Sequence, residues 1–383
     1  MNLDRQKATW ILAAATIVGV LAFAVALADG AALRAWEAFL VNLLFWLGIA
    51  QGAMVVSASF YLTQARWGGA GVYRVAEAFV GFLPVGFILF WALFPARAML
   101  YSWINHPIPE IKAWLNVPFF FARDGIGLLV MAVLSLWFAK VSRRPDVVEW
   151  ANTYDDIGMP PPAIRRLAPT LAICFAAIYS MLAFDLVMSL APKWHSTLFG
   201  AYFFAGSYWS GVAAMGAVII YSGQPLRHAH AKDRATILHD IGKLVFAFSI
   251  FWVYLFWSQY LPIWYGDIPR ETFFVVPRVQ RLPWGALGWS AFVLVWVIPF
   301  TFLMGKRPKR TPAILGPVCI LGLAGMWLER YVLVAPSLSP KAIPFGIIEV
   351  LITVGFFGIF GLCALPGLSL IPISTAPDSG GHR

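Results

Sequence analysis

Ten long apolar runs, parted by short polar loops, leave this chain few ways to fold. They lie near 10–28, 37–62, 75–95, 118–140, 168–190, 199–221, 240–262, 284–304, 312–334 and 344–365. A helix rises about 1.5 Å per residue, so each run is long enough to cross a hydrocarbon layer of roughly 30 Å. In that layer the backbone must satisfy its own hydrogen bonds, which helices do within one segment. The expectation is an all-α polytopic membrane protein with ten transmembrane helices, forming a single integral membrane domain over 1–383. Residues 10–28 exceed the apolar core of about 7–15 residues in a signal peptide and read as a retained first helix.

Composition decides what the charges mean. Only 12% of the residues are charged, half the roughly 25% of soluble domains. The formal net charge of +10 would suit a nucleic-acid binder, but most Lys and Arg residues fall in loops on the side of the N-terminus. That is the pattern of a topology signal and excludes nucleic acid as a partner. It places both termini of a multi-pass chain on the cytoplasmic side. The longest polar loop, 140–167 with its Pro160-Pro161-Pro162 run, reads as a surface segment in water. Trp36, Trp103, Trp114, Trp194, Trp264 and Trp284 near the outer ends read as lipid-interface anchors. Pro84, Pro299 and Pro317 within spans should kink them.

The chain has little with which to hold a redox group. Cys174, Cys319 and Cys363 fall inside apolar runs without any CxxC or CxxCH pattern and read as small buried hydrophobes. His106 and His195 lie in outer loops, His228, His230 and His239 in or beside an inner loop, and His382 in the tail. A haem held between membrane helices needs histidines well inside spans. No loop offers the roughly 50 residues of a small soluble domain. The expectation is therefore no cofactor bound by this chain, with quinol left open as a ligand and electrons carried by partners.

Ionisable residues inside spans are expensive and usually kept for a purpose. In the outer half these are Arg123 and Asp124 in the fourth run, Asp185 in the fifth, Glu329 and Arg330 in the ninth and Glu349 in the tenth. Two arginines against four carboxyls in low dielectric call for at least one bound proton. The inner half holds Glu77, with His239, Asp240 and Lys243 opening the seventh run. Two readings stand side by side. Either Asp185, Glu349 and the arginines are paired charges that fix helix packing, or the carboxyls are stations of a proton path, with Tyr202, Ser207, Tyr208, Tyr254 and Gln259 as relays. A quinol head-group site is a third. An arginine within about 4–6 Å would make Asp185 a firmly paired anion.

Three stretches carry a family resemblance: FDLVMSLAPKWHSTLFGAYFFAGSYWSG (184–211), HDIGKLVFAFSIFWVYLFWSQYLPIWYGDIP (239–269) and GMWLERYVLVAPSL (325–338). They resemble the F-type integral subunit of alternative complex III, a bacterial quinol:cytochrome c oxidoreductase, often labelled quinone-binding subunit 2. A more distant similarity is to the membrane subunits of polysulfide reductase. The resemblance implies two four-helix bundles, helices 2–5 and 6–9, flanked by helices 1 and 10. It implies as partners a larger homologous membrane subunit, an iron–sulfur subunit, haem c subunits, small membrane subunits and lipids, with a terminal oxidase as a further neighbour. Iron–sulfur clusters and haem c would then sit in the partners, and the membrane that the resemblance implies is a bacterial inner (cytoplasmic) membrane. The candidates carried over are Asp185, His195, His239, Asp240, Lys243, Glu329 and Arg330, in a subunit that supports quinol oxidation and proton translocation. A free-standing secondary transporter is the rival from another class; matched broken helices in two halves would favour it.

Overall fold

The computed structural model describes residues 2–153, 158–223 and 231–369; His228, His230 and His382 lie outside them. Ten helices are long and apolar enough to cross a membrane: Arg5–Ala28, Ala32–Leu62, Arg66–Ala92, Val117–Ser142, Pro162–Leu190, Phe199–Ser222, Arg234–Gly266, Trp284–Phe302, Pro312–Leu338 and Ile347–Leu368, called spans 1 to 10 below. No strand is present among the described residues.

Spans 2, 3, 4 and 5 pack in a ring, and spans 6, 7, 8 and 9 form a second one. Span 2 joins them by packing on spans 6 and 9, while spans 1 and 10 pair and lean on span 2. Apolar character all round a helix suits one that is buried or faces lipid, and the two extremes are both present. Span 2 is buried along its whole apolar stretch, whereas span 1 exposes Trp10, Ile11, Ile17 and Leu21.

Close approach rests on glycine. A Cβ added at Gly211 of span 6 would meet the backbone of Gly52 and Ala53 in span 2, and one at Gly52 would meet the carbonyl of Ser207. Small residues let helices approach to backbone contact in this way. Gly211→Val is therefore expected to cost at least about 1–3 kcal/mol, the usual range for overpacking. A fall in the thermal denaturation midpoint in detergent checks it; an unchanged midpoint would mean that the two rings are not in backbone contact.

The prolines act unevenly. Ahead of Pro84 span 3 tightens into a 3-10 turn at Ala78–Gly81, and ahead of Pro299 span 8 widens into a π turn at Val293–Val297. Each proline removes a donor to the fourth carbonyl before it. Span 9 nevertheless stays helical through Pro317.

Two readings of the loops need correction. The segment read as a wet surface loop contains the helix Pro145–Asn152, whose Val147, Trp150 and Ala151 are buried. These positions are three and four residues apart and share one face. Trp150 stacks on Tyr61 at 5.7 Å and lies under the Arg66 guanidinium at 4.5 Å. Of the tryptophans read as lipid anchors, Trp103, Trp194 and Trp284 are buried in protein. Trp194, for example, stacks on Phe274 at 3.9 Å.

Candidate functional site

Asp185 sits in the middle of a π turn, Ala183–Val187, that interrupts span 5 just before it ends in the 3-10 turn Met188–Leu190. A π turn inserts one residue into the helical register and often marks a functional position. Here the buried carboxyl meets span 4. Arg123 Nε donates to its Oδ2 at 2.7 Å, with Nη2 at 2.6 Å from the same oxygen. Trp114 Nε1, from the loop between spans 3 and 4 at the end of the bundle away from the N-terminus, called the outer end below, donates to Oδ1 at 3.0 Å. The Arg123 guanidinium is held over the rings of Trp114 at 3.9 Å and Phe119 at 4.4 Å. Both oxygens of Asp185 thus have donors, and its charge has a partner at contact distance.

Asp124 is the contrast. It follows Arg123 in span 4, is fully buried, lies beside Asp185, and has no hydrogen-bond donor on either oxygen. An unpaired buried carboxylate is costly. A proton on Asp124 would let it donate to Asp185, turning two repelling acceptors into a donor–acceptor pair. Tyr101 completes the cluster: its hydroxyl reaches the Leu186 carbonyl at 3.4 Å, and burial with the nearby Asp124 and Asp185 holds its phenol well above its ordinary pKa.

Down span 4 the buried polar residues keep one face. Ser135 follows Asp124 by 11 residues and Ser142 follows Ser135 by 7, each step close to whole turns, at rises of about 16 and 10 Å. Ser135 pairs with Gln51 of span 2, whose Nε2 lies 2.9 Å from Oγ. Ser142 Oγ donates to Glu77 Oε2 at 2.7 Å, Ser57 Oγ donates to Oε1 at 3.0 Å, and Arg74 Nη1 reaches Oε2 at 3.1 Å. The first bundle therefore holds polar groups at its outer, middle and inner levels.

At the outer end a cavity of about 170 Å³ is lined by Trp114, Ser189, His195 and Arg270. Trp114 and Ser189 of its wall both bond Asp185, the one at the carboxylate and the other at the backbone carbonyl, and His195 stands exposed beside them.

The second bundle also has a buried ion pair near its outer end. Arg330 pairs with Glu329 at 3.1 Å, donates to Phe203 O at 3.0 Å and Ser207 Oγ at 3.2 Å, and lies over the Phe203 ring at 3.8 Å. Glu329 and Tyr202 line a cavity of about 70 Å³ with Trp252, Gln259 and Arg278. From there to Arg234, Asp240 and Lys243 at the opposite end of span 7, these spans carry no Asp, Glu, Lys or Arg.

The remaining candidates separate. Glu349 pairs with neither Arg123 nor Arg330 but with Arg34, at 3.0 and 2.9 Å, and accepts from Gly346 N at 2.7 Å. With Asn42, which donates to Thr353 Oγ1 at 3.0 Å and accepts from Trp327 at 3.1 Å, it fastens span 10 to span 2. Tyr254 is 62% exposed on span 7 and bridges neither cluster. Tyr208 bonds Ser59 at 2.9 Å, and Gln259 accepts from Ser196 at 3.0 Å. Asp240 and Lys243 pair with each other, beside His239, at the inner end of span 7.

Sequence reasoning passed over Trp114, Gln51, Ser135, Arg74 and Arg278. Arg278 lies in the outer helix Pro269–Val279 and donates to the carbonyls of Phe274, Val332 and Leu333 and to Ser337 Oγ at 2.6–3.0 Å. Burial pushes its guanidinium down to about 9, still charged at neutral pH. The spacing of Asp124, Ser135 and Ser142 was the one signal available for the rest.

Among the described residues no three His, Cys, Asp or Glu side chains converge as a metal site. The sequence matches no known family profile and no curated protein.

Proposed function

We propose that this chain is a non-redox, proton-conducting membrane subunit of a bacterial quinol-oxidising respiratory complex of the alternative complex III type. The observation that carries the proton role is the stepped polar line of the first bundle: Asp124 beside Asp185, then Ser135 with Gln51, then Glu77 with Ser57, Ser142 and Arg74. Ionisable groups facing a bundle interior are the usual elements of a proton relay. Asp124 is the proton-holding group in this reading, because Asp185 is occupied by Arg123 and Trp114. Steps of about 10–16 Å are crossed along water rather than directly, and the cavity at Trp114 and His195 gives the outer exit. The three motif resemblances support the assignment to a quinol:acceptor complex. Electrons then belong to iron–sulfur and haem c partners beside a larger homologous membrane subunit.

The middle step gives the test. Gln51→Met with Ser135→Ala replaces both hydrogen-bonding partners by apolar groups of similar shape, a change that can be nearly neutral for stability. The complex is expected to assemble and to oxidise quinol in detergent, while proton movement in sealed vesicles falls to background. Proton movement equal to the parent's would reject the path.

The same proposal fixes sidedness. Glu149 is exposed on the helix Pro145–Asn152, whereas Cys174, Cys319 and Cys363 lie within spans. A membrane-impermeant thiol reagent is expected to label Glu149→Cys in inverted vesicles and not in intact cells; labelling only from outside the cell would reverse the orientation.

A further inference from the structure

At the end of the bundle that carries the N-terminus, spans 8 and 9 are joined by the short helix Lys306–Arg310, whose sequence is KRPKR. Loop cations as topology signals need only lie on one side of the membrane. These are held in place. Lys309 is turned inward and buried, its Nζ 3.4 Å from the Met304 carbonyl and 4.5 Å above the Phe246 ring. Its side chain packs on Gly242 of span 7, where an added Cβ would lie 2.8 Å from Lys309 Cβ. The loop is thus clamped over the start of span 7, and Lys306, Arg307 and Arg310 are left exposed around it.

The local charge is unbalanced. Lys243, Lys309 and Arg310 gather about His239, and among the described residues the acid beside them is Asp240, already paired with Lys243. Burial, and after it the facing Lys243, also pull the Lys309 ammonium below its ordinary pKa. Directly beneath, the surface is apolar and aromatic. The Phe246 ring that carries Lys309 stacks on Phe300 at 5.6 Å, and Phe300 packs on Trp296 at 5.5 Å. Phe302 and Met304 at the same end of span 8 are exposed.

We propose that this basic rim over the aromatic seam between spans 7 and 8 binds an acidic glycerophospholipid. Its phosphate lies among Lys243, Arg307 and Arg310, and its acyl chains run down Phe300 and Phe302. A basic pocket between membrane helices is a known way to hold an acidic head group, and the apolar floor is what selects a lipid over a free anion. The proposal is independent of the proton path.

The test uses the intact complex in detergent and native mass spectrometry, with phosphatidylglycerol as the probe and phosphatidylcholine as its zwitterionic control. The parent is expected to retain phosphatidylglycerol at least tenfold more tightly than phosphatidylcholine. The triple variant K306Q/R307Q/R310Q, altered only at exposed positions, is expected to lose that preference. A control, K140Q/R143Q, removes charge from the end of span 4 and the residue after it, on the same side, and is expected to keep it. Equal loss in the control would reduce the effect to general surface charge and overturn the proposal. So would displacement of the lipid by inorganic phosphate at matched concentration. A triple variant that keeps its lipid but fails to assemble would assign the rim to an acidic neighbouring subunit instead.

Discussion

Asp185→Asn is expected to cost the fold about 3–5 kcal/mol, the range for removing one partner from a buried ion pair, and to prevent assembly. Arg123 is almost entirely buried, and the 2.6 Å contact with Asp185 Oδ2 is its ion pair. Asn can still accept one hydrogen bond, but it removes the counter-ion at contact distance from a guanidinium held over two aromatic rings. Trp114 is tied to the same carboxylate at 3.0 Å, so the outer loop should loosen as well. The readout is the yield and thermal midpoint of the purified complex. A second variant separates charge from shape: Arg123→Gln with Asp185→Asn removes both ions and should regain much of the loss. Single-variant stability equal to the parent's would show that the pair does not hold spans 4 and 5 together.

Asp124→Asn is expected to do the opposite. Its oxygens have no donors to lose, and the new amide can donate to Asp185. The change in stability should stay within about 1 kcal/mol, the size of an ordinary hydrogen bond. An amide carries no exchangeable carboxyl proton. Quinol oxidation in detergent should persist, while proton release or charge movement in sealed vesicles falls to background. If the variant moves protons like the parent, Asp124 is not a station. If the parent complex moves none, the whole path is wrong. The pair of variants thus splits adjacent carboxyls by role: one holds the bundle, the other handles the proton.

The all-helical class and the ten spans were legible because apolar run length reports directly on membrane crossing. The positions of the buried carboxyls were legible too, since charge inside an apolar run stands out in any sequence. Their partners were not. Arg123 and Asp185 are 62 residues apart, and nothing local says that Glu349 meets Arg34 rather than an arginine within a bundle. The π turn that aims Asp185 carries no proline to announce it. Trp114 has the position of an interfacial anchor and is one by its 45% exposure, yet its indole nitrogen also fixes a carboxylate. Gln51 and Ser135 are uncharged, so they drew no notice until the structure put them side by side. The helix Pro145–Asn152 was hidden by the polar residues around its three-residue apolar face.

Gly211 against the backbone of Gly52 and Ala53 has a mechanical consequence. Machines that expose one site alternately to two compartments rock one half against the other, and rocking requires an interface that can slide or part. Where main chain meets main chain, no side chains exist to change rotamer and absorb the displacement. Span 2 is moreover shared among both rings and span 10. Sliding of the two halves would have to break this backbone contact, and the irregular turns fall in spans 3, 5 and 8, which are not counterparts in the two rings. The contact therefore favours switching of access by side chains and turns within a ring over a rocking of one ring against the other.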